Sequence, residues 1–233
     1  MDAVLLLLAD SRLPAGGHAH SGGLETAAAC GTVRDLDTLA DFLRGRLATA
    51  GLVAAGLAAA ACAEADGPGG RSIPGTWRML DAEADARTPS PAQRRASRAQ
   101  GRALLRTARA AWPHPALDAV VAGGDGGGSR GSGPHHPVVL GAVTAIVGGI
   151  PAQAAQVAAY GSVTGPASAA VRLLGLDPLG VHRVLADLAD RIDAVAAEAA
   201  GAVRAGDLPA ASAPALDLFA ELHQQAELRL FES

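Results

Sequence analysis

The residues that could do chemistry crowd into one stretch, Leu8 to Glu25. It sets Asp10, Pro14, Gly16, Gly17, His18, His20, Ser21, Gly22, Gly23 and Glu25 between two apolar segments. Three chemistries compete for it. His18 and His20, at i,i+2, face one side of an extended segment and could touch a metal, with Asp10 or Glu25 as a further ligand. Ser21, in Ala19-His20-Ser21-Gly22-Gly23, approximates a G-x-S-x-G nucleophile elbow with its first Gly replaced. With the two histidines it would make a metal-dependent or serine hydrolase. The third reading is structural: glycines allow a tight turn, Ser21 caps a helix beginning near Gly22, and Glu25 lies in its first turn. An elbow needs a strand before it and a held metal needs more ligands. The structural reading needs neither and is the one expected, with no catalytic group and no stable metal site.

A second informative stretch closes the sequence. Ser212 as N-cap and Pro214 in the first turn predict a helix with the stripe Leu216, Phe219, His223, Ala226 and Leu230. Leu230 and Phe231 then stand at the end of the chain, where residues ordinarily fray. Apolar residues there predict docking, on the body of the protein or on another chain. With only six aromatics in the molecule, Phe231 is a candidate anchor, and His223 reads as a satisfied interface histidine.

The elements that must position these segments are helical. Ala is nearly a quarter of the 233 residues, aromatics are 3%, and alternation of period two is absent. The prediction is an all-α, single compact domain of about 8–10 helices. Val181, Val184, Leu188, Ile192, Val195, Ala199 and Val203 mark one long packed helix. A second runs from Asp35 through Leu36, Leu39, Leu43 and Leu47 to near Glu64. A third, Pro91 to Ala111, turns Leu104 and Leu105 inward and presents Arg94, Arg95, Arg98, Arg102, Arg106 and Arg109 as a solvated basic face. Residues 66–75 read as a loop and 123–133 as a flexible Gly-rich insertion. The insertion's G-x-G-x-x-G at Gly126, Gly128 and Gly131 has no strand before it, so it is no dinucleotide fingerprint.

Composition excludes several functions. All 19 basic residues are Arg, so neither a P-loop nor a Schiff-base lysine is encoded. The formal charge of −4 and the absence of a basic run argue against nucleic acid. Two cysteines without C-x-x-C spacing give no zinc knuckle and no disulfide framework, and point to a reducing cytoplasm. The apolar run after Met1-Asp2 lacks a basic n-region and is no secretory signal. The uncharged stretches Leu47–Ala63 and Gly131–Val171 are Ala/Gly-rich or broken by Pro151, Gln153 and Gln156, which favours buried helices over membrane spans.

The pattern Leu-x-Asp-Ser-x-Leu-Pro-x-Gly-Gly-x-x-x-Ser-Gly-Gly-Leu-Glu from Leu8 to Glu25 resembles the signature of the urease accessory protein UreF family. Arg95 to Leu105 is similar to the family's middle helix, and His136-Pro137-Val138-Val139-Leu140-Gly141 to its His-Pro-x-x-x-Gly segment. Ser168 to Leu173 resembles Ser-Ala-x-x-Arg-Leu, and Asp217, His223 and Arg229-Leu230-Phe231-x-Ser233 resemble the characteristic tail. The likeness runs in order over almost the whole chain. It departs at His18 and His20, where the family carries aromatics, and after Arg172, where glutamines give way to Gly175-Leu176-Asp177-Pro178-Leu179-Gly180-Val181-His182.

The resemblance implies a non-catalytic helical homodimer with no cofactor of its own. It would join UreD (also called UreH) and the GTPase UreG to deliver nickel to apo-urease, the nickel and GTP being handled by the complex. It implies a partner-binding tail at residues 212–233, drawing on Leu216, Asp217, Phe219, His223, Arg229, Leu230, Phe231 and Ser233. Asp10, Pro14, Gly16, Gly17, Ser21, Gly22, Gly23, Glu25 and Arg172 would then form a structural motif or a surface for the GTPase. An Arg finger stimulating that GTPase would have to be Arg172 or Arg229, each read here as structural. A further idea lets His18 and His20 touch nickel in transit.

Overall fold

The computed structural model describes residues 3–65, 75–124, 133–227 and 229–231. Within them the chain forms twelve α-helices and no strand, in agreement with the all-α expectation. In order they are α1 (Ala3–Ala9), α2 (Leu24–Ala29), α3 (Leu36–Arg46), α4 (Leu52–Ala65), α5 (Thr76–Ala86), α6 (Pro91–Ala111), α7 (Ala116–Gly124), α8 (His136–Ile146), α9 (Pro151–Leu174), α10 (Pro178–Asp187), α11 (Ala189–Arg204) and α12 (Pro214–Gln225).

Local chemistry explains the helix starts. Asp35 Oδ1 accepts from Thr38 N at 2.9 Å while Thr38 Oγ1 accepts from Asp35 N at 3.1 Å, a reciprocal cap that opens α3. Ser90 Oγ accepts from Gln93 N at 3.1 Å ahead of Pro91, and Asp177 accepts from Gly180 N at 2.9 Å ahead of Pro178. The helix read from Asp35 to near Glu64 is continuous but carries one π-turn, Leu47–Gly51, between α3 and α4. The long helix read over Val181–Val203 is two, α10 and α11, broken at Leu188. The break leaves the stripe intact, because Leu188 turns into the core with Val181, Ile192 and Ala199.

α4 lies at the centre, against α8, α9 and α11. Its contact with α8 is made by small residues: a Cβ added at Gly141 would fall 2.1 Å from the Ala58 carbonyl oxygen. Ala and Gly therefore set the helix spacing here, and bulk comes from Leu39, Leu43, Leu47, Val139 and Val143. The continuous helix Leu36–Ala65 is long and apolar enough to cross a membrane by length and composition, yet 61% of its apolar window is buried inside the protein.

Three readings need correction. Arg98 does not belong to the solvated face of α6; it is 6% exposed, packed inward with Gly101, Leu105 and Ala108. Gly123 and Gly124 close α7 and are buried rather than part of a loose insertion, and Gly133 is buried too; residues 125–132 lie outside the described residues, as do 66–74. Ala213, not Ser212, occupies the N-cap of α12, and the helix stops at Gln225.

Candidate functional site

Pro166 sits inside α9 and has no N–H to give the carbonyl of Ser162, one turn earlier. Arg46, the last residue of α3 before the π-turn, supplies the missing donor: its Nε reaches Ser162 O at 2.8 Å. One of its terminal nitrogens donates to Gly22 O at 2.7 Å. Burial lowers Arg46 to about 10, still fully charged at neutral pH. Gly22 (φ 61°) and Gly23 (φ 91°) hold left-handed backbone that lets this carbonyl face the guanidinium, and a Cβ on Gly22 would lie 2.9 Å from it. The opening motif is thereby pinned to α3 and α9.

The rest of the motif is structural in the same sense. Asp10 accepts from Arg12 N (2.9 Å), Nε (3.1 Å) and a terminal nitrogen (2.8 Å), which closes a turn and holds its carboxyl below the ordinary range. Pro14 O accepts from Thr107 Oγ1 of α6 at 2.8 Å. Gly16 (φ 78°) precedes the 3-10 turn Gly17–Ala19. Ser21 is 1% exposed and its Oγ accepts from Glu25 N at 3.3 Å, in the first turn of α2, whose N-cap is Gly23 rather than Ser21. His20 is buried on the wall of a cavity, and the side chain of His18 lies outside the described residues.

Glu25 reaches across to the C-terminal segment. Its two oxygens accept from Leu230 N at 2.7 Å and Phe231 N at 3.0 Å. His223 Nε2 donates to Phe231 O at 3.0 Å and stands 3.7 Å from Glu25 Oε2. The Arg172 guanidinium lies 4.5 Å over the centre of the Phe231 ring. Thr26 Oγ1 donates to Phe219 O at 3.0 Å, and Leu216 packs against Gly23. The tail therefore folds back on its own chain as irregular backbone after Gln225, and Leu230 no longer continues the helical stripe. Ser233 lies outside the described residues, and Arg229 is exposed.

α12 is also fixed at its other side. Glu221 accepts from Ser90 Oγ at 2.5 Å and Ala92 N at 2.9 Å, and Asp217 from Ser90 N at 3.3 Å, so two carboxylates face the positive end of α6. The Ser90 and Ala92 bonds hold Glu221 below the usual carboxylate range; burial, with Glu221 alongside, lifts Asp217 above it. Outward α12 leaves two leucines exposed beside Gln224 and Gln225. Leu218 and Leu222 are 57% and 42% exposed, and Leu230 beyond the helix is 70% exposed.

One polar cluster was not anticipated. Arg98 bridges Asp81 Oδ2 at 2.9 Å and Asp85 Oδ2 at 2.8 Å and donates to Gly133 O at 2.6 Å. His135 Nε2 donates to Asp85 Oδ1 at 2.9 Å, and its Nδ1 accepts from Ser97 Oγ at 3.0 Å. Asp81, Asp85 and His135 could by spacing hold a metal ion, their ligand atoms lying within 4.8 Å of one another, and Ser97-His135-Asp85 has the order of a nucleophile, base and acid. Arg98 answers both ideas, since a guanidinium already occupies the cation position and neutralises the acid that would support an imidazolium. Burial lowers His135, with the Asp85 bond opposing; burial would raise Asp85, but His135 and Arg98 outweigh it and hold it low. The cluster clamps α5, α6 and the start of α8. A hint lay in the sequence: Arg98 falls in register with Gly101, Leu105 and Ala108.

These features match known proteins. A profile of the UreF family matches residues 33–189. A urease accessory protein UreF from Mycobacterium sp. (strain JLS) is 46% identical over 231 residues, 98% of this chain and 97% of its own. The chain belongs to the UreF family of urease accessory proteins. A UreF from Mycobacterium marinum is 44% identical over 231 residues, with 99% and 98% covered, and one from Mycobacterium tuberculosis (strain ATCC 25618 / H37Rv) is 43% identical over 233. In this UreF the motif Leu8–Glu25 and the tail, at opposite ends of the sequence, meet at Glu25 and Phe231.

Proposed function

We propose that this UreF is a non-catalytic scaffold for urease maturation in the cytoplasm. It pairs as a homodimer and joins UreD and the GTPase UreG to deliver nickel to apo-urease, with no cofactor of its own. Near full-length identity to proteins named urease accessory protein UreF carries the reading. The tail supports it in detail: α12 is held by polar contacts on its inner side while Leu218, Leu222 and Leu230 face out, a surface suited to UreD. Leu216, Asp217, Phe219, His223 and Phe231 position that surface from behind, and Arg229 stands beside it. The motif Asp10–Glu25 and Arg172 brace the tail, and the GTPase docks on the adjoining face.

The test is urease activity in cells that carry the structural subunits, nickel and the other accessory proteins, with and without this chain. Activity that depends on the chain is expected; activity indifferent to it, with the partners expressed, overturns the reading.

A further inference from the structure

Between the opening motif, α6, α8 and α9 lies a cavity of ≈ 600 Å³. Three arginines reach its wall. Arg87 pairs with Glu83, whereas Arg46 and Arg172 make no ion pair among the described residues. Arg46 puts Nε and one terminal nitrogen on backbone carbonyls, and its other terminal nitrogen has no hydrogen-bond partner among the described residues. The Arg172 guanidinium covers the Phe231 ring and makes no hydrogen bond among the same residues. The carboxylates on the wall answer neither charge, since Asp10 holds Arg12 and Asp217 holds Ser90 N. His136, lowered to about 4 chiefly by burial, is neutral at physiological pH. One face of α9 joins the two guanidiniums: Ser162, Pro166, Ala169 and Arg172 recur every three or four residues and all line the cavity. Because Arg46 is bonded to Ser162 O, it and Arg172 mark the ends of a face roughly 15 Å long. Beside Gly165 this face is open: an added Cβ would find nothing outside the backbone of its own helix nearer than His20 O at 4.0 Å.

We propose that this cavity binds a small oxyanion, a phosphate or carboxylate compound, which is held at Arg46 and enters past Arg172. A guanidinium taken out of water is ordinarily paired with a carboxylate, because carbonyl oxygens offset its lost hydration only in part. Burial lowers Arg46 with no carboxylate to raise it again, which is the mark of a buried charge left without a counter-charge. An oxyanion supplies that charge and accepts from the free terminal nitrogen, the pairing for which the planar guanidinium is shaped. The Arg98 guanidinium, held between Asp81 and Asp85, has no such need. Arg172 is exposed, so an anion meets it at the surface and passes the small residues Ala169 and Gly165 on its way to Arg46. The same two charges disfavour a cation on this path. The site stands independently of the role proposed in urease maturation.

The test titrates the purified full chain by calorimetry with sodium phosphate and with sodium acetate, the ionic strength held constant with NaCl. Beside it run Arg46→Lys, Arg172→Gln, the space-filling Gly165→Leu and, as a control outside the cavity, Arg106→Gln, each checked for an unchanged melting curve. Saturable binding of either ion at one site per chain is expected, weakened about tenfold or more in the first three variants and unchanged in Arg106→Gln. In the parent chain the Nε–H resonance of Arg46 should shift with the bound ion before those of the exposed arginines, a readout that no variant's folding can confuse. Phosphate binding alone would assign the site to a phosphate compound and acetate binding alone to a carboxylate, either upholding it. No saturable binding by the parent, parental affinity in a folded Gly165→Leu, or shifts confined to the exposed arginines overturns the proposal.

Discussion

Two polar clusters organise this UreF, and they are built to opposite ends. Around His135 every charge is answered inside the fold: Arg98 lies between Asp81 and Asp85, and both ring nitrogens are engaged. Around Glu25 one carboxylate holds the last described residues of the tail by two backbone N–H groups, with His223 and Arg172 alongside, and leucines remain outside. The His135 cluster has the composition of an active centre and is a clamp. The Glu25 cluster gathers the tail and leaves Leu218, Leu222 and Leu230 exposed, the surface proposed above for a partner. Saturation of hydrogen-bonding groups, more than residue type, separates the two.

The largest expected effect comes from breaking the clamp. Arg98→Met leaves two carboxylates and His135 without their cation and should destabilise the fold by about 3–5 kcal/mol, read from urea or thermal melts. A variant as stable as the parent would show that the cluster is not the clamp described.

Acid should act next. In the unfolded chain a histidine takes its proton near 6.5, whereas His136 resists until about 4, so the unfolded state binds more protons between these values. Stability conferred by the neutral ring is full above about 6.5 and falls as pH drops towards 4, by on the order of 2 kcal/mol once its cavity exposure is allowed for. The lowered His135 acts in the same direction. His136→Gln should flatten the pH–melting profile over that window; an unchanged slope would contradict the burial argument.

The tail should yield more easily. Glu25→Ala removes both acceptors and should free the segment after Gln225 at a cost of about 1–3 kcal/mol in local stability. Amide exchange at Leu230 and Phe231 reports it, while α4, α8 and α9 stay protected. Exchange unchanged at those two amides would mean that Glu25 does not hold the tail.

Much of this was legible in the residues. α6 was bounded at Pro91 and Ala111 and α3 opened at Asp35 from the sequence, while the Ser90 cap of the one and the Thr38 answer to Asp35 in the other emerged only in the structure. The π-turn at Leu47–Gly51 was not, since nothing local demands it; it belongs to the place where Arg46 meets the carbonyl freed by Pro166, 116 residues away from Ser162 in sequence. Arg98 was misread because an Arg among five others on one helix looks solvated until Asp81 and Asp85 arrive from α5. The opening motif was expected to be a tight turn with Ser21 as a cap; Ser21 does accept from Glu25 N, but the N-cap is Gly23, and the motif's partner Phe231 is 206 residues from Glu25. Periodicity could say that the tail docks; which of its leucines turn outward depends on how α12 lies on α6 and α2.

The smallest effect on stability should accompany the largest on assembly. Replacing the exposed Leu218 and Leu222 by Glu spares the buried Leu216, Ala220 and His223 of α12 and should shift the melting free energy by no more than about 0.5 kcal/mol per site. The decisive measurement is co-purification of the full-length double variant with UreD, beside the parent chain. The parent is expected to retain UreD and the variant, equally well folded, to lose it; a variant that still carries UreD through purification would contradict the assignment of the outer face of α12 as the docking surface.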